Sequence, residues 1–329
     1  MTGQFPILKL DNEAQKCVFR RLNLEGIIAF SSISTKAFNI IKLLKVETRF
    51  LNMVITTMVK IRPVLPYDDG VTWYFRFANN AESAQPLPLA TPRRVEVRKK
   101  DGTLLRVWKN ISLNLREWIQ LFMVLDVQEG IHLSIYNDRF DQTFVKKALE
   151  GFKITNMHLR GSIPVPSLNA KNCSISDCQT GNFDYQKMLL QNNQRSAIDD
   201  PKVRILDDLL VCNARGIICE LGRFLESDFN KFLKAWIKGS NPRLERLDVN
   251  VNFGLHVDDV PVNFGLKGGA MMEGIQFTEI PEEKMKKYSK DAKRVCKMRS
   301  AKGVLAEIRV FGNDESCTVV LLIGRDFVY

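Results

Sequence analysis

Residues 228–252, DFNKFLKAWIKGSNPRLERLDVNVN, constrain the fold more than any other stretch of this chain. Phe229, Phe232, Leu233, Trp236 and Ile237 recur at steps of three and four, which places them on one face of an α-helix. Ser227 or Asp228 can cap its start, since a short side-chain oxygen accepts a hydrogen bond from an N–H that lacks a partner in the first turn. Lys238 falls in the last turn, where a cation suits the helix dipole, and Gly239 follows where a left-handed residue closes the helix. Asn241-Pro242 bars a return to helix. Leu244, Leu247, Val249 and Asn252 then fit the spacing of a leucine-rich-repeat strand, with Val249 and Val251 alternating against Asp248 and Asn250. On spacing alone, ordinary strand and repeat strand are equal readings.

The N-terminal stretch is helical in pattern. Asp11 can cap a first helix carrying Ala14, Cys17, Val18, Arg21 and Leu22, and a second run extends from Leu24 through Ile27, Phe30, Ile33, Ala37, Ile40 and Ile41 to Leu44. Pro6 keeps Phe5 extended ahead of them. From residue 46 the pattern turns to strands. Thr72–Phe77 is rich in β-formers, 79–92 reads as a loop, and Lys100-Asp101-Gly102 turns a hairpin between 95–98 and 104–108. Leu115–Leu125 and Phe144–Leu149 read as helices around a strand at Ile131–Ile135, the second stopping at Gly151. Segments beginning at Ile154, Leu206 and Leu244 share a partial repeat register without a fixed period, and a hairpin over 306–323 ends the pattern after a glycine-rich stretch at 253–283. These observations predict an α/β chain. Its domains are a short helical segment at 4–45 and, over 46–329, an irregular leucine-rich-repeat-like strand and helix domain with a curved, partly parallel sheet.

The net charge of +11 is concentrated: residues 284–302 hold nine Lys or Arg against one acid, Asp291. Met285, Tyr288, Ala292, Val295 and Met298 can form a narrow apolar stripe there, so the segment reads as a charged helix docked by one side. The alternative is a nucleic-acid-binding surface, although no base-reading motif accompanies the cations. Seven cysteines without a C-x-x-C pair suit reduced thiols in the cytoplasm or nucleus. No apolar run reaches the ~18 residues that suggest a membrane-spanning helix. His158, Cys173 and Cys178 lack zinc-ligand spacing, and His132, His158 and His256 form no catalytic motif. Gly265–Gly269 lacks the lysine and hydroxyl of a phosphate loop, and the adjacent acids Asp207-Asp208 and Asp258-Asp259 point apart on a strand or loop. We therefore expect no enzyme, no cofactor and no metal.

The ordered string from Phe229 to Leu244, with Leu209-Leu210-Val211-Cys212-Asn213 upstream, resembles the F-box-associated (type 2) domain of nematode-type F-box proteins. Its signature positions are Phe232, Leu233, Trp236, Gly239, Asn241, Pro242 and Leu244, within a region of about 150–260. The N-terminus resembles an F-box through Phe5, Pro6, Leu8, Leu10, Val18, Leu22, Ile27 and Phe30; Asp11 stands where many F-boxes have proline. The resemblance implies a substrate-recognition subunit of a cullin–RING ubiquitin ligase. Residues 4–44 would bind a Skp-family adaptor, and through it a cullin, while the C-terminal domain takes a target protein. Physical chemistry agrees, because some 40 helical residues are too few to be stable without a neighbour or partner. Leu8, Leu10 and Ile27 are expected to stay partly exposed for that purpose.

Overall fold

The computed structural model describes residues 10–66, 70–77, 91–109, 112–136, 140–160, 168–176, 186–199, 205–219, 226–252, 274–285, 292, 294–312 and 316–324. The chain divides into two compact units, Met1–Met157 with Pro166–Leu168, and His158–Val165 with Asn169–Tyr329.

In the first unit, Asp11, Asn23 and Ser34 each accept a bond from the backbone N–H three residues on, and each opens a helix: α1 (Asn12–Phe19), α2 (Leu24–Ser31) and α3 (Thr35–Lys42). The apolar run from Leu24 to Leu44 is therefore two helices and not one, because Ser34 is extended and restarts the chain. In α1 the buried residues are Gln15 and Phe19, whereas Cys17, expected on the inner face, is exposed. The strands that follow are β1 (Glu47–Thr48), β2 (Phe50–Ile55), β3 (Val59–Val64), β4 (Thr72–Arg76), β5 (Arg94–Arg98) and β6 (Leu104–Lys109). After α4 (Leu115–Phe122) come β7 (Asp126–Val127), β8 (Ile131–Ile135), α5 (Gln142–Leu149) and β9 (Ile154–Arg160), which runs into the second unit.

Strands β8-β2-β3-β4-β5-β6 lie side by side in that order, parallel between β8 and β2 and antiparallel elsewhere. Alternation puts Trp73, Phe75, Val95 and Val97 on one face, where α4 covers them. Trp73 meets Phe122 edge-on at 5.0 Å and Phe75 meets Trp118 at 5.4 Å. Asn114 and Glu117 close a reciprocal capping box at the start of α4. The hairpin turn forms at Lys100-Asp101-Gly102, with Gly102 at φ +88°.

The second unit contains β10 (Ala170–Ser176), α6 (Gln186–Leu189), β11 (Arg195–Asp199), α7 (Ile205–Val211), β12 (Gly216–Cys219), α8 (Glu226–Ile237) and β13 (Arg246–Asn252). Strands β10 to β13 are parallel neighbours, and the aligned residues Cys173, Ser196, Ile217 and Leu247 step by 23, 21 and 30 residues. Such steps lie in or near the leucine-rich-repeat range without being regular. The remaining elements are β14 (Thr278–Glu279), α9 (Glu282–Met285), β15 (Arg294–Arg299), β16 (Leu305–Gly312) and β17 (Ser316–Ile323), an antiparallel set joined to β13 through β17. The architecture is thus short N-terminal helices followed by an irregular mixed strand and helix region.

Two expectations are corrected. Leu206–Val211 belongs to helix α7 and not to a strand, with Asp207 and Asp208 in the first turn favouring its positive end. Residues 294–299 form strand β15 and not part of a charged helix; six of its residues are registered against β16, and Val295, Cys296 and Met298 are buried. Lys286, Lys287, Lys290 and Lys293 lie outside the described residues, as do Gly265–Gly269, His256, Asp258-Asp259, Cys178 and most of the expected 79–92 loop.

Candidate functional site

Helix α8 ends as its sequence dictates. Phe229, Phe232, Leu233 and Trp236 are buried on one side. Gly239, at φ +109°, donates to the Trp236 carbonyl and Ser240 to the Ala235 carbonyl, the paired bonds of a Schellman ending. Two residues on, Asn241 also takes a positive φ, +50°, as few non-glycine residues do. That conformation carries its buried side chain back to α7. The Nδ2 group donates to the carbonyls of Leu209 at 2.7 Å and Cys212 at 2.8 Å, which binds the end of α7 to the turn after α8. The upstream string and the GSNP turn, separate in sequence, are one hydrogen-bonded unit. Leu244 is buried just beyond, and its N–H closes on the Asn241 carbonyl.

The lock joins the helices that follow β11 and β12, and the other face of β11, β12 and β13 carries Arg195, Arg246 and Asp248. A groove of about 450 Å³ runs across their starts, lined by Arg195, Arg215, Gly216, Glu245, Arg246 and Asp248 among others. Register aligns Arg195, Gly216 and Arg246, so the missing side chain of Gly216 opens the space between two arginines. Arg215 pairs with Glu245 at 3.2 Å and Arg246 with Asp248 at 2.9 Å, a bond that raises the Arg246 pKa further. Arg195 has no carboxylate partner among the described residues. Farther along the same face, the Nε2 of His158 lies 3.3 Å from Ser176 Oγ; burial and then the Arg160 charge press its pKa down against the pull of Asp199. Cys173 is buried on the face of β10 opposite to Ser176. His132, in the first unit, stacks on Phe50 at 3.7 Å and contacts Asn156 at 2.9 Å, a packed and hydrogen-bonded position. No group of three metal-ligating side chains occurs among the described residues.

The N-terminal helices present a different surface. Leu10, Val18, Leu22 and Phe30 are half-buried; Phe5, Pro6 and Leu8 lie outside the described residues. Ile27, expected to stay partly exposed, is only 5% exposed. Two residues before it, buried Glu25 pairs with Arg106 of β6, whose guanidinium also lies over Trp108. What does remain open is Ile33, 67% exposed, and Leu43, 69% exposed. Both stand just past the last turn of a helix, α2 and α3, where the helical stripe no longer dictates which way a side chain faces. Helical periodicity assigns Ile33, though not Leu43, to the stripe; its place after a serine pair is the signal that separates it.

Residues 184–249 match the protein family described as F-box associated. The match begins just before α6 and ends within β13, so it contains the Asn241 lock and the polar groove. Comparison with curated proteins and with solved structures gives no match. The second unit thus carries an F-box-associated domain of the type that the signature residues resemble.

Proposed function

We propose that this chain is an F-box protein, the substrate-recognition subunit of a cullin–RING ubiquitin ligase. Its N-terminal helices bind a Skp-family adaptor, the adaptor links it to a cullin, and the strand face of the second unit holds a target protein. The observation that carries this reading is the F-box-associated domain at 184–249, in a chain whose N-terminal helices leave Ile33 and Leu43 in solvent. A groove lined by charged side chains, in which Arg195 has no carboxylate partner among the described residues, suits recognition of a protein segment, and we assign the chain no catalytic step. The reading places it in the cytoplasm or nucleus.

The test is coexpression of the full chain with a Skp-family adaptor, followed by size-exclusion chromatography. A stoichiometric complex is expected, and addition of a cullin should shift it further. If the folded chain and the adaptor elute separately at micromolar concentration, the proposal is wrong.

A further inference from the structure

Strands β3, β4 and β5 of the first unit direct nine side chains to the sheet face away from α4, and five of these are cations while one is an acid. Lys60 and Arg62 come from β3, Arg76 from β4, and Arg94 and Arg98 from β5; the acid is Glu96. Register sets Arg76 opposite Arg94 and Tyr74 opposite Glu96, with Lys60 on the other side of Tyr74. The Glu96 side chain is 3% exposed beneath three guanidinium groups: Arg76 Nε at 3.2 Å, Arg94 Nε at 2.9 Å and Arg98 Nη2 at 2.8 Å. Those arginines remain 48%, 42% and 35% exposed, so their outer N–H groups reach solvent. The Lys60 ammonium lies 5.6 Å from the centre of the Tyr74 ring.

One carboxylate under three guanidinium groups leaves positive charge in excess, and Lys60 adds to it. Like charges directly opposite on neighbouring strands, as in Arg76 and Arg94, are destabilising unless something offsets them. Glu96 does so from within the sheet, and it is the one acid among the nine side chains of this face. Alternate residues of a strand repeat at about 6.6–6.8 Å, the same repeat as in an extended peptide. Guanidinium groups also match oxyanions by paired N–H donors.

We propose that this face binds an extended acidic segment of a partner protein, whose carboxylate or phosphate oxygens are held by Arg76, Arg94 and Arg98 and flanked by Lys60 and Arg62. The inference is independent of adaptor binding by the N-terminal helices. It adds an anion-selective surface in the first unit to the polar groove of the second.

The experiment uses the full chain and fluorescence anisotropy with four labelled probes: an eight-residue glutamate peptide, a peptide with phosphoserine at alternate positions, an eight-residue lysine peptide and a single-stranded oligonucleotide. The glutamate or phosphoserine peptide should bind at low salt and weaken as salt rises, while the lysine peptide does not bind. The stronger of the two identifies the oxyanion. Lys60→Gln/Arg62→Gln leaves the Glu96 cluster intact and should weaken binding about tenfold with an unchanged melting temperature. Glu96→Gln, which removes the only acid of the nine, should tighten it. Peptide binding that is indifferent to Lys60→Gln/Arg62→Gln would place the anion site elsewhere and overturn the proposal, whether or not Glu96→Gln folds. So would absence of binding by both acidic peptides, or tighter binding of the oligonucleotide with the same sensitivity to Lys60→Gln/Arg62→Gln.

Discussion

At the scale of single residues, Asn241 combines two demands that few side chains meet together. Its backbone needs a positive φ, and both its amide protons bond to carbonyls at the end of α7. Asn241→Gly keeps the conformation and removes the amide, leaving two carbonyls without that donor, and should cost about 1–3 kcal/mol. Asn241→Ala adds the strain of a side chain in the left-handed region, about 1–2 kcal/mol more. Urea midpoints of the two variants separate the contributions; a glycine variant as stable as wild type would show the amide bonds to contribute nothing. Gly239 was legible in sequence because a helix followed by Asn-Pro needs a local left-handed residue. Asn241 was legible only as a helix breaker, since its partners stand 32 and 29 residues upstream. Glu96 is a second such case, because the three arginines around it come from two strands. Burial, the largest influence on its carboxyl, would raise the pKa, but the Arg98 bond and the charges of Arg76, Arg94 and Arg98 prevail and lower it. A lowered carboxyl pKa stabilises the fold above the unfolded-state value of about 4.3 and ceases to do so as pH falls through the folded value. Glu96→Gln should therefore be less stable than wild type at neutral pH, with the gap closing as pH falls below about 4.3 and through the lower folded-state value. A gap of constant size across that range would contradict the assignment.

At the scale of elements, legibility depended on whether one periodicity fitted a segment or two. Helix α8 has a full stripe, a defined end and no competing alternation, and it forms where expected. The stripe proves to face the interior, so Trp236→Ala should cost roughly 3–5 kcal/mol through lost burial and a cavity. An unchanged denaturation midpoint in that variant would place the stripe in solvent. Leu206, Leu209 and Val211 fit both a repeat strand and a short helix; the two acids of the first turn and burial of Leu209 side with helix. In 294–299 the steps Ala292, Val295 and Met298 suggested a helix, yet pairing with β16 supplies the backbone bonds and selects a strand. The short strands β11 and β12 were missed because four or five residues carry too little pattern to separate them from loop. Between α2 and α3 the apolar spacing runs on without a break, and only Ser34 marks the new start. Ser34→Ala should destabilise α3 by about 1 kcal/mol, measurable as faster amide exchange over 35–42 with α4 unaffected.

At the scale of the whole molecule, the first unit decides which part of the N-terminal helices a partner can reach. Eight-residue helices are marginal alone, so α1, α2 and α3 depend on the contacts that bury Phe19, Ile28 and Ile41 and on the Glu25–Arg106 pair. The apolar residues of these helices and their ends are therefore divided between two tasks. Ile27 belongs to the interior that holds the helices on the sheet, whereas Ile33 and Leu43 contribute nothing to that interior. Sequence alone could not make this division, because Arg106, the partner of Glu25 in α2, follows about eighty residues later. Aspartate substitutions should separate the tasks. Ile27→Asp buries a carboxylate without a partner, at a cost of several kcal/mol, and should lower the melting temperature and the helical signal of the full chain. Ile33→Asp/Leu43→Asp should leave both unchanged and still reduce adaptor affinity by about a hundredfold, since two apolar anchors would be replaced by charges that must be desolvated on docking. Titration calorimetry with a Skp-family adaptor, with circular dichroism as the folding control, reads both effects. A double variant that binds as tightly as wild type would move the adaptor contact away from the ends of α2 and α3. A wild type that binds no adaptor would leave this apolar surface without the role given to it.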